Sequence, residues 1–592
     1  MRVLLLVSAF NGLSQRVWCA LRDTGHDVGV LLATGSQDMI DGVRAAAPEL
    51  ILCPFLKDRV PAEVWQHWRT VIIHPGPVGD RGPSSLDWAI TEGAPRWGVT
   101  ALQAVEEMDA GPIWATRTFA LPAEPVRKSA LYGGPVADAA LECVFEVLAK
   151  AADPGFRPVP ADRVPAEVPG ARLRPLMTQD DRRFAWDAPT GHIVRRIRAA
   201  DGAPGVRTEV GGLAVFAYDA HPAAVRGRPG ALLGRRQGAV LVGTGDGSVW
   251  LGHLRAADGT GIKLPATRLL GRRLRDVPQW PLPPGTEPEG PSAYRQVRYR
   301  RTGRVGWLAF DFYNGAMATG HCRRLLAAFR HAAAQDTAVL VLRGGTEAFS
   351  NGIHLNVVDA AAEPAGAAWD NIKAINALCR EIITCTRQVV VAGYAGGAGA
   401  GGAMLGLGAD LVAARRDVVL NPYYDIGLYG SELHTFTLPR RVGADAADRL
   451  IDGRLPVGAE HAASLGLVDR VGPRDPQAYD EWLAALADEL ADPRAARLRQ
   501  SAKARRLAAE RVPMDAYEAR ELAEMSLDMF GDRSGFAAAR RAFVGKARPV
   551  ATPERLALGP APAGRAAQIA RRRHQNAGDR RPLVRPAVPL SA

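Results

Sequence analysis

Three parts of this sequence hold residue types that could move protons or polarise a carbonyl. His74 closes the apolar run "TVIIHPGP" (70–77), and Asp109 lies in the Asp-Ala-Gly turn of "EEMDAGPIWA" (106–115). A histidine held beside a carboxylate is a suitable proton shuttle, because its pKa can be kept near neutrality. A strand-end histidine making one satisfied hydrogen bond is the plainer alternative. The second part pairs "EAFSNGIHL" (347–355) with "AGGAGAGG" (395–402). An Asn-Gly turn after a buried strand and a glycine-rich turn before an apolar helix can aim N–H donors at one carbonyl oxygen. Each turn taken alone is equally a packing device. The third part, "NPYYDIGLYGSE" (421–432), gathers three tyrosines, a serine and a glutamate. It reads either as a reactive loop or as a solvated turn whose tyrosines pack on a core.

The elements that must position these residues follow from hydrophobic periodicity. Residues 1–9 read as a buried strand, 13–23 as a helix stopped by Gly25, and "HDVGVLLATG", "PELILCPFL" (48–56) and "TVIIHPGP" as further strands. That alternation predicts an α/β fold with a parallel, doubly wound sheet, whose ligands lie outside the strands' carboxyl ends. Phe55, Leu56 and His74 fall there. After a Pro-rich connector (153–169), short Gly-split apolar runs over 205–270 predict a small antiparallel β-barrel. "GTGDG" (243–247) lacks the Lys-Ser/Thr of a phosphate loop and reads as a hairpin turn. A second Pro-rich linker (279–291) opens a region of strands and amphipathic helices, helical from about 500 to 545. The expected units are 1–160, 172–278 and 292–546, followed by a basic tail over 547–592.

A chain of 592 residues is too long for one core. Residues 546–592 hold ten Lys/Arg against two Asp/Glu, so +8 of the formal +12 lies there and the rest carries only +4. That distribution argues against nucleic acid as the partner of the folded body, and the tail composition reads as disordered. No run reaches 18 apolar residues, which argues against a membrane span. The opening "MRVLLLVSAFNG" suits a buried strand better than a signal peptide. Six cysteines without a CxxC pair argue against a disulfide framework or metal site and for a reducing cytoplasm.

The segments "VIIHPGPVGDRGPSSLDWAI" (71–90) and "GVTALQAVEEMDAGPIWA" (98–115) resemble the folate-dependent formyltransferases, such as methionyl-tRNA formyltransferase, over about residues 1–150. "RPLMTQDDRRFAWDAPTGHIVRRIRA" (174–199) is similar to the start of that family's C-terminal barrel. The resemblance implies 10-formyltetrahydrofolate as donor, with His74 and Asp109 aiding attack on the formyl carbon. One position departs: the family's catalytic Asn falls on Ile72. Asn11 is a replacement candidate by position, with Phe55 and Leu56 as folate-site candidates.

The two glycine turns and the helix between them resemble the crotonase (enoyl-CoA hydratase/isomerase) superfamily over about 295–545, with its ββα-spiral. That resemblance implies a CoA thioester whose carbonyl is held by the N–H groups of Ile353 and Gly401. The two acids of a hydratase fall on Met404 and at or beside Tyr424, so hydration is excluded. The nearby acid is Glu432. "DRGPSSLDWAI", "NPYYDIGLYGSE" and "LPRRVG" together resemble the HypX (HoxX) class of nickel–iron hydrogenase maturation proteins, which join these modules in this order. The class implies formyl transfer to coenzyme A and splitting of formyl-CoA into CO and CoA, with hydrogenase maturation machinery as partner. Glu432 is then a base or proton relay and Tyr424 its hydroxyl partner, with Met404 an apolar wall that keeps water out. His354 and His434 are near by sequence only. Two other readings stay open: an amine formyltransferase fused to an inert CoA-binding module, and a non-enzymatic CoA- and folate-binding scaffold.

Overall fold

The computed structural model describes residues 1–259, 261–282 and 294–558. Six strands form the first sheet: β1 (Arg2–Val7), β2 (Asp27–Leu32), β3 (Leu50–Cys53), β4 (Thr70–His74), β5 (Arg96–Gln103) and β6 (Ile113–Ala120), in the order β2-β1-β3-β4-β5-β6. β1 to β4 are parallel, so their carboxyl ends share one edge. β5 and β6, beyond the four strands read from the sequence, run antiparallel. The short hairpin between β5 and β6 leaves no room for a crossover helix. Val3, Leu5, Leu50, Leu52 and Val71 are fully buried beneath the helices Gly12–Asp23 and Ala137–Ala151.

The second sheet is antiparallel: β7 (Val206–Val210), β8 (Leu213–Ala223), β9 (Leu232–Arg236), β10 (Ala239–Gly243), β11 (Ser248–Ala256) and β12 (Leu264–Pro265). Its order is β7-β8-β11-β10-β9, with β12 paired to β11, and its apolar face covers the helix Thr190–Ala199. This path has two edges, so among the described residues no ladder closes the expected barrel. "GTGDG" is the turn between β10 and β11, as its flanking alternation predicted.

The third region is a two-layer spiral. β13 (Val297–Thr302), β14 (Val305–Phe310), β15 (Val339–Arg343), β17 (Val389–Tyr394), β19 (Leu411–Arg415) and β22 (Arg470–Gly472) make one sheet. β16 (Ala348–Ser350), β18 (Gly397–Gly399), β20 (Val419–Asn421) and β21 (Val457–Gly458) make the other. Each of β15, β17 and β19 hands the chain to a strand of the smaller sheet. The two glycine turns are therefore stacked on successive turns of the spiral. The helices Pro493–Ala508, Met514–Met529 and Phe536–Val544 follow, each break marked by Pro or Gly.

Residues 547–558 correct the expectation of a disordered tail beginning at 547. This segment returns to the first sheet, where the backbone N–H of Leu32 donates to Thr552 Oγ1 at 2.8 Å and Leu556 is buried. Arg555 pairs with Asp425, inside the tyrosine-rich stretch. The remainder of that tail and most of the linker 279–291 lie outside the described residues.

Candidate active site

His74 is the last residue of β4 and is buried. Its Nε2 lies 2.9 Å from Asp80 Oδ2 and its Nδ1 3.5 Å from Asp109 Oδ1. The sequence singled out His74 and Asp109, and they meet; Asp80 was missed. Burial opposes the charged imidazole, but the Asp80 hydrogen bond and the Asp109 and Asp80 charges outweigh it, so the His74 pKa is raised. Gly76 makes the Asp80 contact possible, since a Cβ there would run into both His74 Nε2 and Asp80 Oδ2. Asp109 stands in a left-handed conformation (φ +57°), which few non-glycine residues adopt, and its Oδ2 accepts from the Gly82 N–H at 3.2 Å.

Asn11 has a structural task. It caps the helix Gly12–Asp23, its Oδ1 accepting from the Ser14 N–H at 3.0 Å, while its Nδ2 donates to the Tyr132 hydroxyl at 3.3 Å. Phe55 meets the same tyrosine edge-on at 6.2 Å. Asn11, Phe55 and Tyr132 thus gather past β1 and β3, and Tyr132 was not foreseen. Leu56 and Ile72 both pack against the core that holds Leu4, Leu6 and Ile51.

The second site is a cavity of about 500 Å³ in the spiral module. Gly352, at φ +69°, brings the Asn-Gly turn within van der Waals reach of the Gly401 N–H, a spacing that puts Ile353 and Gly401 side by side. Both line the cavity, with Tyr423, Tyr424 and Glu432. The Glu432 carboxylate lies so close to Gly401 that any side chain there would collide with it. Glu432 is 3% exposed, and both it and Leu433 have positive φ. Two consecutive left-handed non-glycine residues store strain of about 1–3 kcal/mol each, and such strain concentrates at functional sites.

Burial raises the Glu432 pKa to about 7, and the nearby Glu521 charge adds to it. Glu521 is fixed by the Leu433 N–H at 2.9 Å and the Thr435 N–H at 2.8 Å. Asn376 Oδ1 accepts from the Glu432 N–H at 2.9 Å and from Ser431 Oγ at 2.9 Å, which holds the turn.

Two expectations for this site change. The hydroxyl that reaches Glu432 is that of Tyr423, donating to Oε2 at 3.3 Å, not that of Tyr424. The Tyr424 hydroxyl packs over Gly399, while its ring is 41% exposed. Both tyrosines line the cavity, but only the Tyr423 hydroxyl is hydrogen-bonded to the carboxylate. Met404 sits in the core behind the turn rather than in the cavity wall. The apolar lining comes from Ile353, Leu355, Ile372, Ile426, Leu428 and Met525. His354 caps the helix Leu355–Asp359, and burial lowers its pKa to about 3, which leaves it neutral. His253 of β11 and Lys263, just before β12, also line this cavity, and nothing in their spacing announced it.

Among the described residues no group of His, Cys, Asp and Glu could hold a metal ion, and no helix is long and apolar enough to cross a membrane.

Three family models match along the chain: formyl transferase over residues 32–127, the formyl transferase C-terminal domain over 176–267, and enoyl-CoA hydratase/isomerase over 314–551. The hydrogenase maturation factor HoxX of Bradyrhizobium diazoefficiens is 40% identical over 563 residues, 94% of this chain and 97% of that protein. A methionyl-tRNA formyltransferase of Myxococcus xanthus is 29% identical over 35% of this chain and 62% of its own length. Crystal structures of HypX from Aquifex aeolicus superpose with TM-scores of 0.90 (a doubly substituted variant, 37% identical) and 0.89 (the complex with tetrahydrofolic acid, 38% identical). Each covers 94% of this chain and 98% of the other. The order of modules, the two sites and near full-length identity agree: the chain belongs to the HoxX/HypX family of hydrogenase maturation factors, with formyltransferase and crotonase-like modules.

Proposed function

We propose that this protein makes carbon monoxide for the iron of a nickel–iron hydrogenase, in two steps. The formyl group of 10-formyltetrahydrofolate passes to coenzyme A at the His74 site, and formyl-CoA loses CO in the spiral cavity. The observation that carries this reading is the Glu432 carboxylate packed on Gly401, beside Ile353, while the other carboxylate of the cavity lining, Asp425, is paired with Arg454 and Arg555. Hydration of an alkene needs acids where this chain has Met404 and Tyr424. Removing a formyl proton needs one base at the carbonyl carbon, in a site that excludes water.

At the first site His74 takes the thiol proton as sulfur attacks the formyl carbon, Asp80 and Asp109 stabilise the imidazolium that forms, and the imidazolium gives that proton to N10 as the C–N bond breaks and tetrahydrofolate leaves. The Aquifex aeolicus HypX bound to tetrahydrofolic acid supports a folate as ligand of this chain, and the formyl transfer step assigns it to this module. At the second site Ile353 and Gly401 hold the thioester oxygen. Glu432 removes the formyl hydrogen as a proton while Tyr423 orients the carboxylate. With a pKa of about 7, Glu432 is poised both to accept that proton and to release it. Six free cysteines fit a reducing compartment and the cytoplasm as its place.

The test is to incubate the protein with 10-formyltetrahydrofolate and CoA and to trap CO with deoxyhaemoglobin. The reading requires CO to appear only when both substrates are present. Formate or a formylated amine in its place would overturn it.

A further inference from the structure

Lys263 belongs to the second sheet's module but lines the spiral cavity, together with His253 and Glu432. Its segment is tied to the spiral module, where Asn356 Nδ2 donates to the Lys263 carbonyl at 2.9 Å. The ammonium donates to the Gly202 carbonyl at 2.7 Å and to the Tyr313 hydroxyl at 3.2 Å. An ammonium has three N–H donors, so one has no hydrogen-bond acceptor among these contacts, and the ammonium rests 4.0 Å from the centroid of the Tyr218 ring. Tyr313 in turn donates to Asp201 Oδ1 at 2.5 Å and stacks on His253 at 4.4 Å, and Asp219 holds His253 Nδ1 at 3.2 Å. The result is a lysine braced from behind by two carboxylate-anchored rings, on a wall that otherwise offers a thioester mostly apolar side chains.

Splitting a formyl thioester leaves a need that Glu432 does not meet by itself. The C–H proton goes to the Glu432 carboxylate, and the C–H electron pair completes the bonding of CO. The C–S bond breaks with its pair on sulfur, and the thiolate must gain a proton to leave as CoA. No oxidant or reductant is involved. We propose that Lys263 is the acid that protonates the leaving sulfur, a role that rests on the thioester reading of this cavity given above. After CO and CoA depart, the proton on Glu432 returns to Lys263 through the water that refills the cavity. Burial lowers the Lys263 pKa to about 8, with Lys546 and Arg255 acting in the same direction and Asp201 and Asp219 against them. That value lies close to the ordinary thiol pKa of about 8.5, the match that favours proton transfer.

The experiment compares wild type, Lys263→Met and Lys263→Arg on formyl-CoA and on the formyl ester of a more acidic thiol. Arginine keeps the charge but holds its proton too tightly to give it up. On formyl-CoA both variants are expected to lose about 10²-fold in kcat, with KM changed much less. On the acidic thioester, which needs no proton to leave, the loss is expected to shrink to a few-fold. Equal losses on both thioesters, or full activity of Lys263→Arg on formyl-CoA, would overturn the role. A second readout needs no turnover: bound CoA should show more ultraviolet thiolate absorbance in wild type than in Lys263→Met at the same pH. Equal absorbance likewise contradicts it. If wild type forms no CO from formyl-CoA, the thioester reading fails instead, and the absorbance still judges Lys263 as a neighbour of the sulfur.

Discussion

At the end of β4, His74 has a carboxylate at each ring nitrogen; in the spiral module, Glu432 has Glu521 behind it and a mostly apolar cavity around it. Both groups are buried, and both have raised pKa values, for opposite reasons. Opposite charges stabilise the charged histidine against burial. Burial and a like charge destabilise the charged glutamate. The first site therefore favours holding a proton taken from a nucleophile, and the second keeps a base near the point where it titrates. The comparison teaches that burial alone does not set a titration, since the charges packed around each buried group decide which of its forms is favoured.

The comparison breaks most sharply if the two sites are not separable. His74→Ala is expected to lower formyl transfer from 10-formyltetrahydrofolate by about 10³-fold while sparing decay of supplied formyl-CoA. Glu432→Gln should do the reverse by a similar factor. Assaying both half-reactions in both variants checks this, and a variant that stops both refutes the separation.

The next effect is on stability. Because the folded His74 pKa is raised, its contribution is fully present below the unfolded value of about 6.5 and is lost as pH rises through the raised folded value. Asp80→Asn should therefore destabilise the protein by about 1.5–3 kcal/mol at pH 6 and by less at pH 9. Denaturant unfolding at the two pH values reads this out, and a gap that widens with pH would contradict it.

A smaller effect separates the two tyrosines. Tyr423→Phe removes the hydroxyl on Glu432 and should slow CO formation about 10-fold, the equivalent of one hydrogen bond of about 1.4 kcal/mol. Tyr424→Phe should cost less, and the reverse order would restore the sequence-based assignment. The smallest effect is a shift in a titration. Glu521→Gln removes the like charge that helps raise the Glu432 pKa, so the pH at which formyl-CoA decay is half-maximal should fall below that of the wild type. A rise would mean that Glu521 does not act through its charge.

Much of this was legible in the sequence, and what was not has a physical cause. His74 and Asp109 were singled out from a strand end and a turn, and Ile353 and Gly401 from their likeness to crotonase turns; the structure brings the first two together and gathers Ile353, Gly401 and Glu432 at one cavity. Asp80 follows His74 by six residues, but its approach depends on the missing side chain of Gly76. The choice between Tyr423 and Tyr424 turns on side-chain direction within one short stretch, which composition does not encode. Glu521 comes from a later helix and Lys263 from another module, and neither leaves a periodic trace near the site. The segment 547–558 carries Pro549 and Pro553 and no apolar period to suggest a fold, yet Leu556 and the Thr552 contact seat it on β2.

The central claim is that Glu432 draws the formyl proton from a thioester so that CO leaves. The most direct measurement supplies formyl-CoA to wild type and to Glu432→Gln and quantifies CO and formate together. The account requires CO as the main wild-type product, and its near-complete loss in the variant with CoA still bound. CO formed at an equal rate by both proteins, or formate as the wild-type product, would contradict it.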